Sequence, residues 1–313
     1  MSQRKVADFF NNYSDEQTCK AFFKSKRESF GISCHHCGSL QLKWNEKESR
    51  WRCKECNFAT GLKQGTVMEN SNLSYRVWLW ALYLMSLTKK GFSALEMQRL
   101  IGHKRYEPIW LLMQKIRISM GNRDDSYSLD GYIEMDEGFF EGHRKKESAE
   151  EGTNKPVKEL DRQVKAIVAV SVNKVDDTNQ TVNRPATKAG FVKMNVVSSL
   201  SKNEVSCEAE KMIQKSAIVI TDGRRCYKGL KDICSKHEEV VIKDKEKVSK
   251  TFPWVHIAIS NAKKKILGLH HQVKDDYMQN YLNEFCYKFN RRYFGEKLFD
   301  RLVVASLKNP WYA

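Results

Sequence analysis

Proline is scarce in this chain, five in 313 residues, and together with only sixteen glycines this excludes a collagen-like or low-complexity repeat. Long apolar runs are missing as well. The longest, Val77 to Leu87 (VWLWALYLMSL), falls well short of the ~20 residues that cross a bilayer. The opening MSQRKVADFF lacks the design of a signal peptide, so a soluble, cytoplasmic, nucleoid-associated protein with no membrane partner is expected. Acid is in short supply. Thirty-eight Asp and Glu face fifty-four Lys and Arg, and the resulting net charge of +16 favours a polyanion as partner. What the chain does have is 41% hydrophobic residues, enough for one large core or two modest ones, which excludes intrinsic disorder.

Nine cysteines are an odd number, and four of them form two C-x-x-C pairs, which in a reducing compartment means metal rather than disulfides. Cys34, Cys37, Cys53 and Cys56 make a C-x2-C-x15-C-x2-C array. Each pair turns two thiolates toward one point, and two such turns complete the tetrahedron that Zn²⁺ prefers in a closed, structural site. His35 and His36, inside the first turn, are the rival ligands. The remaining cysteines, at 19, 207, 226, 234 and 286, are scattered singly and read as structural or exposed thiols.

Four segments follow from composition and periodicity. Residues 1–30 carry aromatics at helical spacing and read as an N-terminal helical segment. Residues 31–72 alternate polar and aromatic residues between the Cys pairs, as a small hairpin would. Lys43, Lys47, Arg50, Arg52, Lys54 and Lys63 with Trp44 and Trp51 form there either a DNA-facing surface or a merely solvated face. Residues 73–122 hold three apolar helical stretches broken at Lys89-Lys90-Gly91 and Gly102, a helix-turn-helix-like module. Its second helix of the pair, with Lys104, Arg105, Lys115 and Arg117, would enter a major groove and neutralise phosphates. The alternative is a plain structural bundle.

After a polar, turn-rich stretch at NRDDSYSLDG, residues 123–313 turn strand-rich. YIEMDEGFF, KAIVAVSV and FVKMNVVSS read as strands, the last two as a hairpin, followed by a helix at Glu204 to Lys215, strands at AIVIT and EVVIK, and helices from about His256. The order β-β-β-α-β-β-α predicts a mixed α/β domain on a central sheet. The charged stretch 143–163 reads as a surface loop inserted in it. Asp136 follows YIEM and Asp222 follows AIVIT, each placed by this reading at a strand end before a glycine-containing turn. Two such aspartates can converge at one sheet edge and hold divalent cations through oxygen, the arrangement that serves phosphoryl transfer. Aspartates also commonly cap strand-to-turn junctions, and spacing alone does not choose.

The stretches YIEMDEGFFEG, VITDGRRCYKGL, PWVHIAISNAKKKILGLHHQV and YLNEFCYKFNRR, with the Cys array before them, resemble bacterial insertion-sequence transposases of the ISXO-like kind, which join a zinc ribbon to a DDE-type catalytic domain. The likeness runs from about residue 20 to 295. It implies an RNase H-like mixed sheet with flanking helices, preceded by the zinc ribbon and the helical module, with structural Zn²⁺ and catalytic Mg²⁺ or Mn²⁺. By the same resemblance Asp136 and Asp222 match the first two catalytic acids. No acid lies between Trp254 and Val273, so the chain departs from the family's glutamate pattern at the third position. Asn261 is the choice there and His256 its rival, with Glu137 able to add charge. Lys263, Lys264 and Lys265 would contact phosphates flanking the scissile bond, the lysines at 243, 245, 247 and 250 would add charge nearby, and His270 and His271 match a paired histidine of the family. Glu284 would either approach the site or pair with Arg291 or Arg292.

The expected activity is Mg²⁺-dependent cleavage at the terminal inverted repeats of an insertion sequence, then joining of the freed end to target DNA, by a homo-oligomer assembled on double-stranded DNA. The alternatives are a non-catalytic DNA-binding regulator derived from a transposase and a metal-dependent nuclease without strand transfer.

Overall fold

The computed structural model describes residues 3–142, 163–175, 186–240, 252–270, 273–308 and 310–312. The charged insertion expected at 143–163 therefore lies almost wholly outside the described residues, as do the lysines expected at 243, 245, 247 and 250. The chain forms two units, one of Met1–Arg123 with Arg292–Ala313, the other of Asp124–Arg291.

In the first unit α1 (Gln3–Asn12) and α2 (Glu16–Ser29) precede an antiparallel three-stranded sheet of β1 (Leu42–Asn45), β2 (Arg50–Cys53) and β3 (Ala59–Gly61). Then come α3 (Tyr75–Leu87), α4 (Ala94–Ile101) and α5 (Tyr106–Asp125), whose last two residues open the second unit. The apolar run that is too short for a membrane is α3, buried on nearly every side from Val77 to Met85. Ser74 caps it through its side chain, and Ser93 with Glu96 forms a capping box on α4. Gly102 ends α4 at φ 74°, a left-handed conformation that glycine adopts without steric cost. Among the described residues no helix is long and apolar enough to cross a membrane.

The sequence reading assigned all of 123–313 to one domain, but its last segment belongs to the first unit. There α9 (Lys297–Lys308) buries Leu302, Val303, Ala305 and Leu307. The Ser306 carbonyl accepts the Val67 N–H at 2.9 Å, and Lys26 pairs with Asp300 at 2.9 Å.

The second unit is a mixed five-stranded sheet in the order β6-β5-β4-β7-β8, as an RNase H-like domain requires. Its strands are β4 (Tyr132–Glu141), β5 (Gln163–Lys174), β6 (Thr187–Val197), β7 (Ile218–Asp222) and β8 (Lys236–Val240). The expected hairpin is β5-β6, antiparallel, while β4 pairs antiparallel with β5 and parallel with β7. The last strand starts earlier than EVVIK, at Lys236, because an edge strand of charged residues carries no apolar pattern to announce it. One sheet face packs Ala166, Val168, Val170 and Val192 of the hairpin against α7 (Pro253–His270) and α8 (Asp275–Asn290). The other packs Ile133, Met135 and Val219 against α6 (Lys202–Met212) and a 3₁₀ segment at Arg225–Asp232. Where the unit begins and ends, buried Asp124 and Arg291 pair at 2.7 Å, and Asn290 ties Asp124 to both backbone groups of Val192.

Candidate active site and metal centre

Parallel pairing aligns β4 with β7 at Tyr132↔Ile218, Ile133↔Val219 and Glu134↔Ile220. Continued by two residues, that register sets Asp136 level with Asp222, on the face that Glu134 and Ile220 share. Asp136 is not at a strand end, as the sequence suggested. It stands in the middle of β4, because the antiparallel partner β5 stays paired through Glu141. The edge is supplied by β7, which stops at Asp222 and leaves that side of β4 open. Asp136, Glu137 and Asp222 each offer an oxygen, and these atoms lie within 4.8 Å of one another. Close carboxylate oxygens of this kind suit a hard divalent cation such as Mg²⁺ or Mn²⁺.

The three acids are not equivalent. Glu137 points to the opposite face, where it is buried, accepts a hydrogen bond from the Tyr227 hydroxyl at 2.8 Å and pairs with Arg224. Asp222 accepts the Arg224 backbone N–H at 3.1 Å and pairs with the Arg224 Nε at 3.1 Å. Burial pushes Asp136 above the ordinary carboxylate range, with His256 and Arg224 pulling it part of the way back. Burial raises Asp222 too; the Arg224 N–H opposes this and the charge of Asp136 adds to it. Arg224 and Tyr227 had no signal of their own in the sequence beyond lying a few residues past Asp222.

Of the two residues weighed for the third position, His256 is the one beside the acids. Its Nδ1 lies 3.4 Å from Asp136 Oδ2, and its buried Nε2 has no hydrogen-bond partner among the described residues. Asn261 lies exposed on the same helix, five residues on and so turned about 140° away. Lys263, seven residues after His256, shares its face. Lys264 is exposed, whereas Lys265 is drawn inward to Glu284 at 3.4 Å, which Lys288 also pairs at 2.8 Å. Glu284 thus binds lysines on α7 and α8, where the sequence reading had suggested Arg291 or Arg292. His270 packs edge-on against Tyr281, and His271 lies outside the described residues.

In the first unit Cys34, Cys37, Cys53 and Cys56 bring their sulfurs together, with Cys34 to Cys56 at 3.5 Å and Cys37 to Cys53 at 3.6 Å. Four sulfurs on a tetrahedron with ~2.3 Å bonds would stand about 3.8 Å apart, so the set fits Zn²⁺. The Cys56 backbone N–H is the main group holding Cys53 down, at about 6. His36 stacks on Phe58 instead of joining the cluster. Of the two tryptophans, Trp51 is buried under Arg27 and packs edge-on against Trp44, which is half-buried. Lys63 points into the fold, donating to the Ser71 and Leu73 carbonyls, while Lys43, Lys47, Arg50 and Lys54 are exposed.

Lys104 and Arg105 are exposed, in the turn before α5 and not within it. The Gln98 amide holds that turn by donating to the carbonyls of His103 and Lys104. Lys115 and Arg117 are buried and do not face solvent, contrary to the expectation that they neutralise phosphates alongside Lys104 and Arg105. Lys115 donates to the Glu69 carbonyl at 3.0 Å and lies over Trp311.

Residues 128–290, more than half of the chain, match the family model described as the ISXO2-like transposase domain. That span includes all of β4 to α8, and with them Asp136, Asp222 and His256. No curated protein matches the chain.

Proposed function

The chain belongs to the ISXO2-like transposase family, and from that premise we propose that it cuts DNA at the terminal inverted repeats of an insertion sequence and joins the freed ends to a target. The observation that carries this reading is the meeting of Asp136 and Asp222 at the open edge of β4, inside the matched segment. Divalent cations held there, Mg²⁺ or Mn²⁺, supply the polarisation that activates an attacking oxygen and stabilises a leaving one.

The chain's own groups have distinct tasks. Asp136 and Asp222 would hold the cations, and His256 would complete the ligand set with a ring nitrogen in place of a third acid. Arg224, more than half exposed, sits beside both acids and can turn a donor toward phosphate. Lys263 and Lys264 neutralise flanking phosphates, and Lys104 and Arg105 enter the groove ahead of α5. In the first step water attacks the phosphodiester and a 3′-OH leaves. In the second that 3′-OH attacks a phosphodiester of target DNA, whose own 3′ oxygen leaves, so one site serves two in-line displacements with no covalent enzyme intermediate. Two ends must meet, which calls for a dimer or larger assembly on DNA.

Asp136→Asn and Asp222→Asn should each abolish Mg²⁺-dependent nicking of end-containing DNA, at least ~100-fold down, while gel-shift binding stays intact. Cleavage at the normal rate by either variant refutes the assignment. Nicks without joining would favour a nuclease, and binding without nicks a regulator.

A further inference from the structure

The helix that carries His256 is held at its amino end by a side chain from another element. The first four N–H groups of a helix have no partner within it. In α7 the first residue is Pro253, which has no N–H to satisfy and favours this position. The fourth, His256, donates to the Phe252 carbonyl at 3.4 Å. The remaining two, Trp254 and Val255, both donate to one carboxylate oxygen, Oε2 of Glu134, each at 2.8 Å. That carboxylate comes from β4, 120 residues away in sequence. Glu134 is buried and lies two residues before Asp136, so the two carboxylates share a strand face.

We propose that Glu134 is a positioning residue of the catalytic centre, docking the amino end of α7 on β4 so that His256 is held against Asp136. This rests on the reading of His256 as part of the metal site. A strand fixes the offset between Glu134 and Asp136, and a helix fixes the offset between the Trp254 and Val255 amides and the His256 ring. Joining the two at Glu134 Oε2 brings the His256 side chain up to Asp136, with Nδ1 3.4 Å from Asp136 Oδ2. Negative charge at a helix N-terminus adds to the two hydrogen bonds. Burial raises the Glu134 carboxyl, and the Val255 and Trp254 amides pull it back. The proposal assigns a task to a buried acid that the hydrolytic scheme does not use.

The test is a double-mutant cycle read by Mn²⁺ binding to the full-length protein, followed by electron paramagnetic resonance without DNA. Glu134→Ala and His256→Ala should each weaken Mn²⁺ binding by about tenfold or more, the usual cost of losing a group that orients a ligand. The double variant should be no worse than either single one, because both remove the same interaction. Glu134→Gln keeps an acceptor oxygen at full reach and should restore binding to within about threefold, whereas Glu134→Asp, one methylene shorter, should not. Should Glu134→Ala fail to fold, as zinc content and circular dichroism would report, this Gln and Asp pair decides. Unchanged Mn²⁺ binding in Glu134→Ala, or losses that add in the double variant, overturns the proposal. Loss in Glu134→Ala with none in His256→Ala overturns it too. The predicted Mn²⁺ pattern in a protein that never cuts end-containing DNA upholds the anchor and counts against the transposase reading alone.

Discussion

A carboxylate must give up its proton before it can grip a cation, and Asp136 and Asp222 both hold theirs more tightly than exposed aspartates do. Below its raised pKa each group is neutral and no longer a ligand, so binding is lost as pH falls, beginning above the ordinary aspartate value of about 4. Mn²⁺ affinity titrated downward from neutral pH should therefore begin to fall while still above that value; affinity that starts to fall only below pH ~4 contradicts the burial argument. The lysines illustrate what sequence does not disclose. Lys263, Lys264 and Lys265 are consecutive and chemically alike, yet their steps of about 100° around α7 give them different surroundings, and Lys265 meets a buried acid. Asn261 and His256 differ in the same way, since a helix position chooses its neighbours only once the helix is docked.

Among the elements, the ribbon and α2 depend on each other. Arg27 of α2, buried over Trp51, donates to the carbonyls of Gly61, Leu62 and Gln64 in and after β3. Its burial lowers the pKa of the guanidinium, which remains a cation at any relevant pH. Cys53→Ser should release the zinc, and the loss should spread to α2 through those three carbonyls. Zinc content and thermal melting check this, with specific DNA binding as a third readout. Retained metal and an unchanged melting temperature would dismiss the Cys₄ centre.

Much of this was legible in advance. Thiolate spacing announces the ribbon directly, and β-branched runs announce β5 and β7. The strand YIEMDEGFF was legible too, as β4, but the placing of Asp136 at a strand end was not right, because pairing with β5 runs on past Asp136 to Glu141. Glu134, Arg224 and Tyr227 escaped notice because their partners lie on other elements, where no local pattern reports them.

The molecule as a whole is discontinuous in sequence. The second unit is inserted between Arg123 and Arg292, and the ion pair of Asp124 with Arg291 closes it where the chain enters and leaves. The first unit needs α9, whose amphipathic pattern says that it packs somewhere but not against what. A stop codon in place of Arg292 should leave the second unit folded and protease-resistant while abolishing specific DNA binding. Binding at full strength by that truncated chain would show that α9 is dispensable.

Because the first unit is built from two stretches of chain that the second unit separates, its contacts with α9 span most of the sequence, and Lys26 meets Asp300 across 274 residues. Contacts so distant along the chain are slow to find, so the first unit should complete its folding in a kinetic phase later than that of its local helices.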